Sequence, residues 1–296
     1  MTSTKATIYK GRNEMVGPGL EIVRTLPNTS FTALGSVVFI DHLVEKTLPP
    51  QKAKMPDGGF AHPHRGIATF TYILDGGVHH LDSNGGEGKV YKGGIQWMKA
   101  GNGIVHDEFQ PYDIQESGSK IHGLQIWLNL PSINKEEKPD YKAVQGKNVP
   151  EISLADNSGT MRVLLGEYGG KASTIPTYLD QLIGHIHLEP GKSIDLSANT
   201  NWQYGIYAIK GSVKVDNQIE LKQYELAELT DFQNQIKLTN EGTEPIDIAV
   251  FAGESYSEPM VAYGPFVMNT EDEIKLAYSD SRKGKYGRID YSKVQL

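Results

Sequence analysis

The chain of 296 residues contains no cysteine. Disulfides, thiolate zinc sites, iron–sulfur clusters and cysteine nucleophiles are thereby excluded, and any transition metal must be held by histidine, aspartate or glutamate. No run approaches the ~20 apolar residues that a membrane-spanning helix needs, so no membrane partner is expected. Residues Met1–Val16 are polar, mixed in charge and without the apolar centre of a secretory signal; a cytoplasmic location is expected. A basic excess is missing too. The 29 Lys and Arg stand against 36 Asp and Glu, which gives no electrostatic ground for direct nucleic-acid binding. Long helical periodicity is absent from most of the chain.

What is present is the texture of many short strands, apolar or alternating runs broken by glycine, asparagine and proline. Leu124, Ile126, Leu128 and Leu130 alternate with Gln125, Trp127 and Asn129, a period of two that puts the aliphatics on one sheet face. Residues 37–40, 68–74, 104–109, 161–166, 184–188, 205–209 and 246–251 read as further strands. Asp75-Gly76 and Asp216-Asn217 read as tight turns. The fold class is therefore all-β. One helix is expected near the end, over 271–279, because Thr270-Glu271-Asp272-Glu273 has the spacing of a capping box.

The length suits two domains of roughly 100–200 residues each. The segment 132–140 is charged and proline-flanked, as a solvated linker would be. We expect domains at 1–135 and 151–296 joined by a linker at 136–150.

Five of the nine histidines fall between His62 and His106. His62 and His64 lie two apart, so on a strand both imidazoles face one side. His106 and Glu108 repeat that spacing with a carboxylate in second place. Three neutral nitrogens and one anionic oxygen suit Fe(II), Mn(II), Ni(II), Cu(II) or Zn(II) and are too nitrogen-rich for calcium or magnesium. Spacing alone leaves a purely structural role open.

Phe60-Ala61-His62-Pro63-His64-Arg65-Gly66, with Gln96-Trp97-Met98-Lys99-Ala100-Gly101-Asn102-Gly103-Ile104-Val105-His106-Asp107-Glu108, resembles the pirin family of the cupin superfamily. Arg24-Thr25-Leu26-Pro27, His80-Leu81-Asp82-Ser83, Gly253-Glu254, Glu258-Pro259 and Gly264-Pro265-Phe266-Val267-Met268-Asn269-Thr270 extend the resemblance over nearly the whole chain. It implies two tandem jelly-roll barrels, the first holding one divalent metal, usually iron, through His62, His64, His106 and Glu108. General cupins place a glutamate a few residues after the first histidine pair; Ala68 and Thr69 stand there, which leaves Glu108 as the candidate carboxylate. Asp107, where many relatives carry serine, departs from the pattern and is expected to point away from the metal.

Resemblance to bacterial pirins implies quercetin 2,3-dioxygenase activity, with a planar flavonol and O2 as substrates and carbon monoxide released; Glu108, a carboxylate near both metal and flavonol hydroxyl, is the base we expect. The alternative is a non-catalytic, metal- and redox-sensing regulatory protein with a protein partner. Phe60, Phe70, Trp97 and Met98 are candidates to face a planar ligand or to be core. His79 and His80, being adjacent, face opposite ways and are expected in surface or turn roles, outside the site. His42 and His122 read as structural. His185 and His187 share a face, but no His-x-Glu pair follows them, so the second barrel is expected to be metal-free. Asp82–Glu87 fails the spacing of a calcium loop at Gly86 and reads as a hairpin turn.

Overall fold

The computed structural model describes residues 4–17, 19–28 and 33–294. It contains two compact units, each built on a large and a small antiparallel sheet. Among the described residues only two α-helices occur, Tyr112–Ser117 and Glu271–Arg282.

One unit comprises Met1–Asn13, Val23–Ile40 and Val149–Tyr256. Its large sheet runs in the order Lys5–Lys10, Glu225–Thr230, Gln203–Lys210, Ile246–Gly253, Gln181–Leu188, Gly159–Leu165 and Glu151–Ser153. The central strands Gln203–Lys210 and Ile246–Gly253 are buried almost throughout, and Gln181–Leu188 alternates in burial over its second half. Ile186, Leu188, Ile206, Ile248 and Val250 turn inward to an aliphatic core with Val213 and Leu238. Each such side chain removed from water contributes roughly 1.5–3 kcal/mol. Asp216 and Asn217 both take positive φ, 47° and 59°, in the turn between Val213–Val215 and Ile219–Leu221, a geometry Asn and Asp tolerate.

The other unit comprises Glu14–Ile22, Asp41–Asn148 and Ser257–Leu296. In its large sheet Asp140–Val144, Ile95–Lys99, Ile67–Asp75 and Ser119–Asn129 lie side by side. In its small sheet the order is His62–His64, Ile104–Phe109, Gly77–Asp82 and Glu87–Tyr91. The helix Glu271–Arg282 belongs here and runs three residues past its expected end. Thr270 accepts the Glu273 amide while the Glu273 carboxylate takes the Thr270 amide, so the capping box forms as its spacing implies. Ile274 and Ala277 bury one face against Phe266, Met268 and Tyr286.

These units depart from a division at 136–150. The N-terminal strand Lys5–Lys10 pairs with Glu225–Thr230, and residues 257–296 complete the unit that carries the histidine motifs. The proposed linker is also structured, because its charges meet specific partners. Asp140–Val144 pairs with Ile95–Lys99. Glu136 binds Arg65 at 2.7 Å and Glu137 binds Lys99 at 2.6 Å. Lys135 is buried, its ammonium donating to Gly66 O, Asn129 Oδ1 and Val267 O at 2.8, 2.5 and 2.8 Å.

Candidate metal centre

Strand pairing brings the two histidine motifs together. His62 lies opposite His106, and His106 lies opposite Asp82 on its other side; two residues on, Glu108 lies opposite His80. Period two therefore sets His62, His106, Asp82, Glu108 and His80 on one face of the small sheet. Asp107 faces the other way and accepts a hydrogen bond from Tyr291 Oη at 2.8 Å, as its position between the two ligand candidates requires.

The ring nitrogens converge. His64 Nε2 lies 2.9 Å from His62 Nε2, and His106 Nε2 lies 3.1 Å from it. His64 and His106 are fully buried, whereas His62 as a residue is exposed. Proton positions follow from the opposite nitrogens. His62 Nδ1 meets the Phe60 carbonyl at 2.7 Å and His64 Nδ1 the Pro265 carbonyl at 3.0 Å. A carbonyl only accepts, so both rings carry their proton on Nδ1 and present an Nε2 lone pair. Burial, the largest influence on each, holds all three rings below the ordinary imidazole range, His64 at about 3. Two neutral lone pairs thus face each other at hydrogen-bond distance with no proton between them. A cation bound by the three nitrogens resolves that repulsion, and carbonyl-oriented histidines are the usual setting of a metal ligand. The donor set fits a divalent transition metal.

Glu108 stands slightly apart. Its carboxylate groups with His80 and His106 rather than with His62 and His64, and lies 4.0 Å from His106 Nδ1, a buried nitrogen without a hydrogen-bond partner. Burial raises its pKa to about 7 against the opposing effect of a hydrogen bond from Gln96 Nε2.

Several residues around the cluster escaped the sequence reading. His80 is fully buried, not in a surface role: its Nε2 meets Asp82 Oδ2 at 3.0 Å, and its ring stacks on Tyr141 at 4.2 Å, 5.4 Å from His106. His79 is buried as well, on the opposite face, against Glu87 and Phe109. Trp127 packs edge-on against His64 at 4.9 Å. Register places Thr69, Thr71, Gln96 and Met98 on one face of the large sheet and Phe70 and Trp97 on the other. Gln96 reaches Glu108, so the face it shares with Met98 is the one turned to the site; Phe70 and Trp97 are core. Phe60 is exposed. Asp82 Oδ1 accepts the amides of Asn84 and Gly86, which makes 82–87 a hairpin turn. In the other unit His185 and His187 both hydrogen-bond Asp247 Oδ1.

A family model for pirin matches residues 19–128, and one for the pirin C-terminal cupin domain matches residues 183–287. The chain belongs to the pirin family. Among pirin relatives, a Pseudomonas aeruginosa protein named putative quercetin 2,3-dioxygenase is 30% identical over 284 residues, 95% of this chain and 97% of that one. Human pirin is 32% identical over 291 residues, 97% of this chain and 95% of its own length. The crystal structure of quercetin 2,3-dioxygenase from Acinetobacter baumannii superposes with a TM-score of 0.90 at 29% identity, covering 98% of this chain and all of that one. The chain thus carries the tandem cupin domains of a pirin. No helix among the described residues is long and apolar enough to cross a membrane.

Proposed function

We propose that this pirin is a metal-dependent dioxygenase that opens the heterocycle of quercetin-like flavonols with O2 and releases carbon monoxide. Iron(II) is the proposed resident ion, with His62, His64, His106 and Glu108 as its ligands. The observation that carries the reading is the meeting of imidazole nitrogens whose protons are fixed on the far side of the rings. The relatives named for quercetin oxidation supply the substrate class.

A bound divalent ion supplies Lewis acidity toward an oxygen donor. The chain supplies the rest. The Phe60 and Pro265 carbonyls hold His62 and His64 in the tautomer that offers Nε2. His62 is the exposed member of the three, and a planar substrate is proposed to approach from its side. Glu108 stands beside the imidazole cluster as the carboxylate to take the flavonol 3-hydroxyl proton.

The test is anaerobic loading with Fe(II), then admission of O2 with quercetin, following loss of flavonol absorbance and carbon monoxide release beside a His62→Ala control. Glu108→Gln should keep much of the metal and suppress turnover. Full activity in that variant removes the base role. No turnover by fully loaded protein transfers the assignment to a redox-sensing regulatory protein, which the same four side chains would serve.

A further inference from the structure

Glu108 is held by a run of side chains that crosses three strands. Gln125, Thr71 and Gln96 are direct cross-strand neighbours on Ser119–Asn129, Ile67–Asp75 and Ile95–Lys99. Thr71 Oγ1 lies 2.7 Å from Gln125 Oε1, and Gln96 Nε2 lies 3.2 Å from Thr71 Oγ1 and also meets Glu108 Oε1. Thr71 and Gln96 are both buried.

The order of donors is determined from both ends. Ionised, as a metal ligand must be, the Glu108 carboxylate only accepts, so Gln96 turns its amide N–H to it. The Gln125 oxygen likewise only accepts, so it takes the single Thr71 proton. Thr71 Oγ1 is then left as an acceptor, and the second Gln96 N–H fills it. Turning the Gln96 amide over would set its oxygen against two other acceptors. Its Oε1 is buried and accepts no hydrogen bond, so the N–H end alone anchors this side chain.

We infer that Gln96 is a positioning residue for the metal centre, its orientation set by Thr71 and Gln125, which fixes the Glu108 carboxylate through one oxygen and leaves the other for the ion. The inference rests on the proposed ligand role of Glu108. A neutral donor that stays put suits this task, because it holds the carboxylate without competing as a ligand. Partners of this kind are worth about 10–100-fold in metal affinity.

The experiment measures nickel(II) affinity of the full chain by competition with a chelator, a readout independent of turnover. Gln96→Leu should weaken binding about tenfold. Thr71→Val, which keeps the volume of threonine and removes its hydroxyl, should weaken it in the same direction, and Thr71→Ser should restore it. In a Glu108→Gln background, Gln96→Leu should add nothing, since the group it positions has changed. Native affinity in Gln96→Leu, or a full further loss in the Glu108→Gln background, overturns the inference and leaves the metal centre standing. Failure of the wild-type protein to bind nickel(II) or iron(II) overturns the metal centre itself.

Discussion

Lys135→Met separates what the buried ammonium contributes from what its volume contributes. Its Nζ donates to three oxygens within 2.8 Å, and two of them, Gly66 O and Val267 O, flank the segment that carries His64 and the carbonyl that orients it. Hydrogen bonds from a charged donor are worth about 1.5–3 kcal/mol each. Against this stand several kcal/mol for taking the ammonium out of water. Methionine fills similar space but takes a hydrogen bond from each of three acceptors, of which Gly66 O keeps the Leu130 amide, and we expect a net loss of about 3 kcal/mol. Burial pushes Lys135 down from 10.5 to about 7. In that window the unfolded chain binds more protons at this site than the folded one. The lysine's contribution therefore rises with pH between those values, by at most about 1.4 kcal/mol per pH unit, and is level below them. Urea denaturation of both proteins at about pH 7 and about pH 9 measures the difference. An unchanged midpoint in the variant, or a stability gap that narrows at the higher pH, refutes the reasoning.

Gly66 sits at φ +81°, where an added Cβ would lie 2.0 Å from the Val267 carbonyl oxygen; Gly66→Ala should cost more than about 2 kcal/mol and weaken nickel(II) binding, both measurable by denaturation with and without metal. Burial alone would raise Asp247, but hydrogen bonds from His185 and His187 hold it at about 2. Its contribution is present above its ordinary value of 3.8 and is lost as pH falls through about 2, so acid titration should show a shallower stability loss in Asp247→Asn than in the wild type. A divalent ion at about 100 times its dissociation constant should stabilise the fold by about 2.7 kcal/mol, reversed by chelator. A melting temperature indifferent to nickel(II) and iron(II) argues against the three-imidazole site.

The parts of the molecule that were legible beforehand are those written in local spacing. The strands at 104–109 and 246–251, the capping box at Thr270 and the same-face pairs His62/His64 and His106/Glu108 each need only neighbours a few residues away. What stayed hidden depends on which strand lies beside which. His80 looked like half of a surface pair, because only pairing with the strand of Glu108 turns it toward His106. Gln96 and Thr71 are unremarkable until register aligns them in one row. Lys135, Glu136 and Glu137 resembled a solvated linker since composition cannot distinguish a charge facing water from one with an assigned partner. That residues 257–296 return to the unit of the histidine motifs is likewise not written in local spacing. A segment returning from position 257 leaves no periodic signal of where it will dock.

That returning segment has a consequence for biogenesis. Pro265 orients His64, Val267 receives Lys135, and Tyr286 accepts the Ser83 hydroxyl, so residues translated after the whole of 149–256 brace side chains translated long before. A nascent chain holds its four candidate ligands early but lacks their support until residues 265–286 have followed the whole of 149–256. A metal held by the proposed ligands is therefore expected to be retained firmly only once residues 257–286 have docked.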